Sequence, residues 1–312
     1  MRQRFFATLA IGFLCLMTYG SAWAAGAISV WVALSETGGA HAEAAEALRA
    51  EVERAQPGRI EWRVAHWSQF GREKTDPHWV VVVGTAAQRG MQELFAGDSA
   101  PPPLLAILVP RLSFERIANP AHLRTGGVSA VFLDQPPARQ LELIRLALPA
   151  VQNVGVLVGA ESKGHAPGLE KAARERGMVL VVSAVGQSGM FLALQSLLRD
   201  ADVLLALPDP GLFNSQTAAN ILGAAYRQRV PLIGFSPAYV KAGALFALYS
   251  TPVQIGTRGG QLLRQALAVK SLPPPQWPRE FVVAVNQDVA RSLGLELDQR
   301  QLAEQLQHGE RP

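Results

Sequence analysis

The feature that most constrains this chain is a rhythm of short, continuous apolar runs separated by stretches of helix length. His78–Val83 carries four consecutive valines and is followed by Gly84 and a helical pattern over Thr85–Leu94. Ile28–Leu34, Ile60–Ala65, Leu104–Val109 and Val128–Leu133 are similar runs, with a helical pattern over Ala40–Ala55 and another over Pro136–Leu148. The second half repeats the pattern. Strand-like runs fall at Asn153–Val158, Met178–Ala184, Val203–Leu207, Val230–Gly234, Leu245–Tyr249 and Phe281–Val285. Between them lie helices over His165–Arg176, Met190–Arg199, Ser215–Arg227, Pro237–Ala242 and Thr251–Ala268, and Gln287–Leu293 comes last. Strands that are apolar on both faces belong to parallel sheets covered by helices on each side.

About eleven strands are too many for one open sheet of ordinary size, so two sheets of about five or six strands are expected. The crossover rule makes each an open α/β sandwich. The predicted fold class is therefore α/β, with two doubly wound parallel-sheet lobes joined by a hinge. Lobe one takes residues 25–132 and 250–278, and lobe two takes 133–249 and 279–300. Residues 301–312 form a charged tail, which reads as a frayed helix.

The first residues carry a different signal. Arg2 and Arg4 precede an apolar core from Phe5 to Tyr19, and Ala22-Trp23-Ala24 supplies the small residues a signal peptidase requires. Residues 1–24 therefore read as a secretory signal peptide cleaved near Ala24, with an uncleaved anchor as the rival, and the location as periplasmic. Cys15 is the single cysteine and lies inside that core. The mature chain then has no disulfide, thiolate zinc site or cysteine nucleophile. Arg2 and Arg4 also account for two of the four net positive charges, and no run of five basic residues occurs. Nucleic-acid binding, which needs clustered cations, is excluded as a reading.

Enzyme motifs are missing. Gly159–Gly164 resembles a phosphate loop but His165 stands where lysine is required, and Gly186-Gln187-Ser188-Gly189 is one residue short of a nucleophile elbow. His41, His66, His78, His122, His165 and His308 show no metal-ligand spacing and read as surface or loop residues. Gly256, Gly259 and Gly260 sit in a helix and read as close-packing positions. Trp31 and Trp79 fall in strands and read as core, whereas Trp67 falls in a loop that could reach a cleft rim. No cofactor or metal is expected.

Ligands of open α/β sheets bind beyond the carboxyl ends of the strands. The candidates there are Ser35, Glu36 and Thr37 after the first strand, and Gly84 and Thr85 after the valine strand. Hydroxyls and free amides at a helix start suit an anionic group, although each could equally cap its own helix. In the second half, Asp209 is placed to accept from a substrate ammonium and Phe213 to stack on an apolar group. Asn214, Phe235, Ser236 and Tyr249 complete the set.

Three segments resemble the ABC transporter substrate-binding protein family that includes tryptophan- and tyrosine-binding members. They are "QLELIRLALPAVQNVGVLVG" (140–159), "VPLIGFSPAYVKAGALFAL" (230–248) and "PREFVVAVNQDVARSLGLEL" (278–297). The resemblance implies a periplasmic-binding-protein-like type I fold with a hinge that closes on a small-molecule solute. It also implies an ABC permease and ATPase complex in the inner membrane as partner. One turn departs from the family pattern: Pro208-Asp209-Pro210 replaces a Thr-Asp-Asn type turn, so the aspartate is kept but the amide is not. The expected function is capture of a small organic, amino-acid-like or other, solute without catalysis. The alternatives are a periplasmic sensor or accessory protein of the same fold, and a secreted hydrolase whose triad assembles only in space.

Overall fold

The structure, a computed structural model, describes residues 27–310 except 56, 72–76 and 187–188. The proposed signal peptide with Cys15, and residues 311–312 of the expected tail, lie outside the described residues. The first sheet contains β1 (Ile28–Leu34), β2 (Ile60–His66), β3 (Trp79–Val83), β4 (Leu104–Val109) and β5 (Val128–Phe132) in the order β2-β1-β3-β4-β5, all parallel. Its helices are α1 (Gly39–Ala55), α2 (Thr85–Leu94), α3 (Arg111–Ile117) and α4 (Pro120–Arg124). Every residue of β3 is buried, with Val81 and Val83 facing one core and Val80 and Val82 the other. A strand covered on both faces has no polar side, which is why the valine run does not alternate.

The second sheet contains β6 (Asn153–Val158), β7 (Val179–Ala184), β8 (Val203–Leu205), β9 (Leu232–Gly234), β10 (Phe246–Tyr249) and β11 (Val282–Val285), in the order β11-β10-β9-β8-β6-β7. Its pairings are parallel except that β11 runs antiparallel to β10, a departure from the all-parallel expectation. The chain leaves β10 at its carboxyl end for the first sheet and returns to the second from that same side, so β11 starts beside the end of β10 and runs the opposite way. The remaining helices are α5 (Pro137–Ala147), α6 (Ala166–Arg174), α7 (Met190–Asp200), α8 (Ala218–Arg227), α9 (Pro237–Ala242), α10 (Pro252–Val269), α11 (Gln287–Ser292) and α12 (Gln299–Gly309). No helix among the described residues is long and apolar enough to cross a membrane.

After β10 the chain leaves the second sheet, and α10 packs on α1, β4 and β5 of the first. Thr251 starts α10 as a reciprocal cap: its hydroxyl accepts from Gln254 N at 3.1 Å, and Gln254 Oε1 accepts from Thr251 N at 2.8 Å. A Cβ on Gly256 would sit 2.2 Å from the Ala44 carbonyl oxygen, and one on Gly260 2.7 Å from that of Leu48. These glycines let two helix backbones touch, in line with the close packing expected of them. The chain then passes Gln276, which bridges to Val131 beside β5, and returns to the second sheet as β11.

Two expectations are corrected. The tail is not frayed: α12 packs on α5 and β11 with Leu302 and Leu306 buried, and Asp298 caps it through Arg300 N and Gln301 N. Trp67, expected in a loop, is half-buried in a short 3-10 turn straight after β2. Its ring lies on Gly90 of α2, where a Cβ would come within 2.2 Å of it.

The α1–α10 seam yields a paired prediction. Gly256→Ala should destabilise by about 3 kcal/mol, because the obstruction is backbone and cannot move aside. Gly223→Ala in α8, whose new Cβ would meet only the Arg227 guanidinium at 3.5 Å, should be neutral or stabilise by about 0.5–1 kcal/mol. Denaturant unfolding of the two variants distinguishes these signs.

Candidate ligand-binding cleft

On the first lobe, the ends of β1 and β3 lie side by side. Ser35 N donates to Val83 O and Gly84 N to Ile107 O, each at 2.9 Å. Ser35 Oγ accepts from Ala87 N at 2.9 Å, so Ser35 caps α2, which belongs to the neighbouring strand, and not its own helix. Gly84 has φ +91°, and a Cβ there would fall 2.5 Å from Ser35 Oγ and 2.6 Å from His41 Nε2. Ser35, Gly84 and His41 therefore converge on one spot, and only glycine fits the middle of it. Thr85 is half-buried as the first residue of α2, and Glu36 is exposed with Oε2 3.9 Å from His41 Nδ1. Thr37 is exposed and lines a separate groove of about 560 Å³ between α1 and β2.

On the second lobe, Asp209 is 2% exposed. Its Oδ2 accepts from Ser162 Oγ at 2.6 Å and its Oδ1 from Gly211 N at 3.0 Å; Ser162 Oγ in turn accepts from Gly159 N at 2.9 Å. The carboxylate stitches the loop after β6 to the loop after β8, a task that no local motif signals. Asn214 Oδ1 accepts from Gln216 N and Thr217 N while its Nδ2 donates to Pro210 O. That turn holds α8 back to residue 218 instead of the expected Ser215. Phe213 packs edge-on to Phe235 and Tyr239, with ring centroids 6.4 and 6.3 Å away. Burial pushes the Tyr239 phenol up to about 12, and its hydroxyl has no partner among the described residues. Phe235, Ser236 and Tyr249 are half-buried at the ends of β9 and β10.

Between the sheets, three passes of chain are tied together. Gln135 Nε2 donates to Ser250 Oγ at 2.8 Å, and Ser250 Oγ donates to Glu280 O at 2.5 Å. Arg139 Nη1 donates to Gln135 Oε1 at 2.6 Å and to Pro278 O at 2.9 Å. The same guanidinium lies over the Phe281 ring and forms a bidentate pair with Glu310, just past α12. Farther out, Arg116 of α3 reaches across to Glu161 after β6, with N–O distances of 2.7 and 2.6 Å. Arg116, helped by the more distant charge of Arg89, holds the Glu161 carboxyl below the usual range. Leu112 of α3 abuts Gly164, where a Cβ would stand 3.0 Å from it.

Two buried titratable groups flank this region. Asp134 follows β5; its Oδ1 accepts from Arg111 N at 2.7 Å, and its Oδ2 is buried with no partner among the described residues. Burial raises its pKa to about 6 against the opposing hydrogen bond from Arg111. His165 is 6% exposed, not a surface residue as expected, and burial with the nearby Arg111 charge lowers its pKa to about 4. Asp134, His165 and the Arg116–Glu161 pair carry no motif, because their partners lie far away in sequence, and His41 comes beside Gly84 only in the fold. Spacing between histidines, the one local signal they offer, says nothing of burial.

Chemically, these strand ends offer hydroxyls, amides and aromatic edges. No group of three His, Cys, Asp or Glu capable of holding a metal exists among the described residues. Ser162 donates directly to Asp209 with no imidazole between them and is fully buried, so that pair lacks the arrangement of a nucleophile and its base.

Two mostly parallel α/β lobes joined by repeated crossings define the type I periplasmic-binding class of fold. The family model described as "ABC transporter substrate binding protein" matches residues 104–308, and the chain belongs to that family. Among solved structures, it is similar to a conserved domain protein of Vibrio cholerae at 19% identity and a TM-score of 0.62, covering 88% of this chain and 97% of that one. An ABC domain from Streptococcus pneumonia in complex with L-Trp matches at 15% identity and a TM-score of 0.62, with the same two coverages. A ligand-free, open substrate-binding protein with adhesive properties from Clostridium difficile matches at 17% identity and a TM-score of 0.68, covering 86% and 96%. At these identities the likeness is one of fold. Curated protein sequences provide no match.

The two buried groups have opposite pH signatures. Asp134 binds its proton more tightly folded than unfolded, so its contribution to stability falls as pH rises from about 4 to 6. His165 stays neutral when folded, so its contribution rises between about 4 and 6.5. Each amounts to roughly 3 kcal/mol across its window and the two largely cancel. Asp134→Asn should leave stability that climbs with pH, and His165→Gln stability that declines. Unfolding free energies at pH 4.5 and 7 check both slopes.

Proposed function

We propose that the protein captures a small organic solute in the cleft between its lobes and presents it, in the periplasm, to an ABC permease and ATPase in the inner membrane. The observation that carries this reading is the single hydrogen-bonded network of Gln135, Arg139 and Ser250 through which all three passes between the sheets run. Such a joint lets two rigid sheets move as bodies around a site at their strand ends. In this reading the solute touches Ser35, Glu36, Gly84 and Thr85 on one side and Phe235, Ser236 and Tyr249 on the other, with Thr37 at the margin. Asp209, Phe213 and Asn214 fix the wall behind them. No catalytic step is involved.

The groups available suit a modest affinity. A micromolar dissociation constant corresponds to about −8 kcal/mol, within reach of several hydrogen bonds and one or two aromatic contacts after closure is offset. The tryptophan bound to the Streptococcus neighbour favours an amino-acid-like solute, and the turn at Pro208-Asp209-Pro210, which differs from the family pattern, favours one whose amino group is held differently or absent.

Native mass spectrometry of the protein purified from its own periplasm should show a bound small molecule. Adding that molecule at about 100 times its dissociation constant should stabilise the fold by about 2.7 kcal/mol. If nothing co-purifies, and amino acids, peptides, sugars and small anions leave the melting temperature unmoved, solute capture is ruled out. N-terminal sequencing of the exported form should begin at Ala25.

A further inference from the structure

Outside the cleft, α2, α3 and α4 of the first lobe enclose a groove of about 510 Å³ beside the starts of β4 and β5. The half-buried Pro101, Pro102 and Ile117 give it an apolar lining, backed by the buried Met91 and Phe95. Arg89 and Arg116 stand in its wall, and Arg116 already grips a carboxylate there: that of Glu161, brought across from the other lobe and held by both guanidinium nitrogens. Arg89 adds its field to the same carboxyl group. The wall thus has the geometry and charge for a carboxylate directly beside an unfilled apolar surface.

The Arg116–Glu161 pair is 43–48% exposed, and a pair so open to water adds little net stability. A free carboxylate that also buries an apolar body on Pro101, Pro102 and Ile117 gains what Glu161 cannot. Glu93 lines the same groove and disfavours a second negative charge. We propose that this groove is a second ligand site, separate from the cleft, for a small monocarboxylate with an apolar body, and that an anion held there takes Arg116 away from Glu161. Occupancy then removes a contact between the lobes, so the site acts on closure.

The test uses the full chain with methyl-labelled methionine, titrated with sodium phenylacetate and, separately, with 2-phenylethanol. Phenylacetate should shift the Met91 methyl resonance while leaving Met178 and Met190 of the second lobe in place, and the uncharged alcohol should bind about tenfold more weakly. Arg116→Ala should weaken phenylacetate binding about tenfold, and Glu161→Gln, by removing the internal competitor, should tighten it about threefold. Both side chains are at the surface, and circular dichroism melts confirm that the variants fold. The site is overturned by no Met91 shift up to about 10 mM, by equal binding of acid and alcohol, or by indifference to Arg116→Ala. Competition with Glu161 is overturned if Glu161→Gln leaves the affinity unchanged. None of these outcomes depends on what the cleft binds.

Discussion

The backbone contact between α1 and α10 is the constraint from which the two-lobed form follows. Gly256 and Gly260 allow α10 to lie against the carbonyls of Ala44 and Leu48, and Gly259 fits over Ile107 of the first sheet. Because of that seat, a segment that follows ten strands is built into the lobe made by the first five. The chain must therefore pass between the sheets three times instead of once. A single linker would leave the lobes free to tumble, whereas three parallel passes restrict them to a common axis. The network of Gln135, Arg139 and Ser250 has positions to join only because the passes are brought side by side.

Much of the polar chemistry at the strand ends serves the loops themselves. Asp209, Ser162 and Asn214 spend their hydrogen-bonding capacity on neighbouring backbone and on one another, and Ser35 is committed to α2. A wall of loops built this way is fixed in advance. Loops ordered before a ligand arrives lose little conformational freedom when it does. The groups with capacity left over are fewer: the half-buried Thr85, Ser236 and Tyr249, and the imidazole of His41 beside Gly84.

The strands are legible in the sequence because burial on both faces leaves a simple mark, a run of apolar residues such as Trp79–Val83. The glycines of α10 are legible because each weakens a helix interior, so three together point to a neighbouring backbone that comes close. Arg111–Ile117 is not legible, because seven residues with one buried side chain, Phe114, make no periodic signal. The last helix reads as frayed for a related reason: Leu302 and Leu306 are its only buried residues, and Gln and charge dominate the rest. At the site, chain position tells which residues stand at strand ends. It does not tell which are already occupied, since the Ser162–Asp209 bond joins residues 47 apart and the Arg116–Glu161 pair residues 45 apart.

The bidentate pair between Arg139 and Glu310 ties the crossing network to the last helix. Arg139 holds the crossing network, yet its carboxylate partner lies 171 residues downstream. A guanidinium buried beside Phe281 without a counter-charge is a costly condition for a cation. Glu310 supplies that charge from just past α12, a helix seated on α5 and β11 of the second sheet. The last helix is thereby a member of the joint, and how firmly it sits bears on how freely one lobe turns against the other.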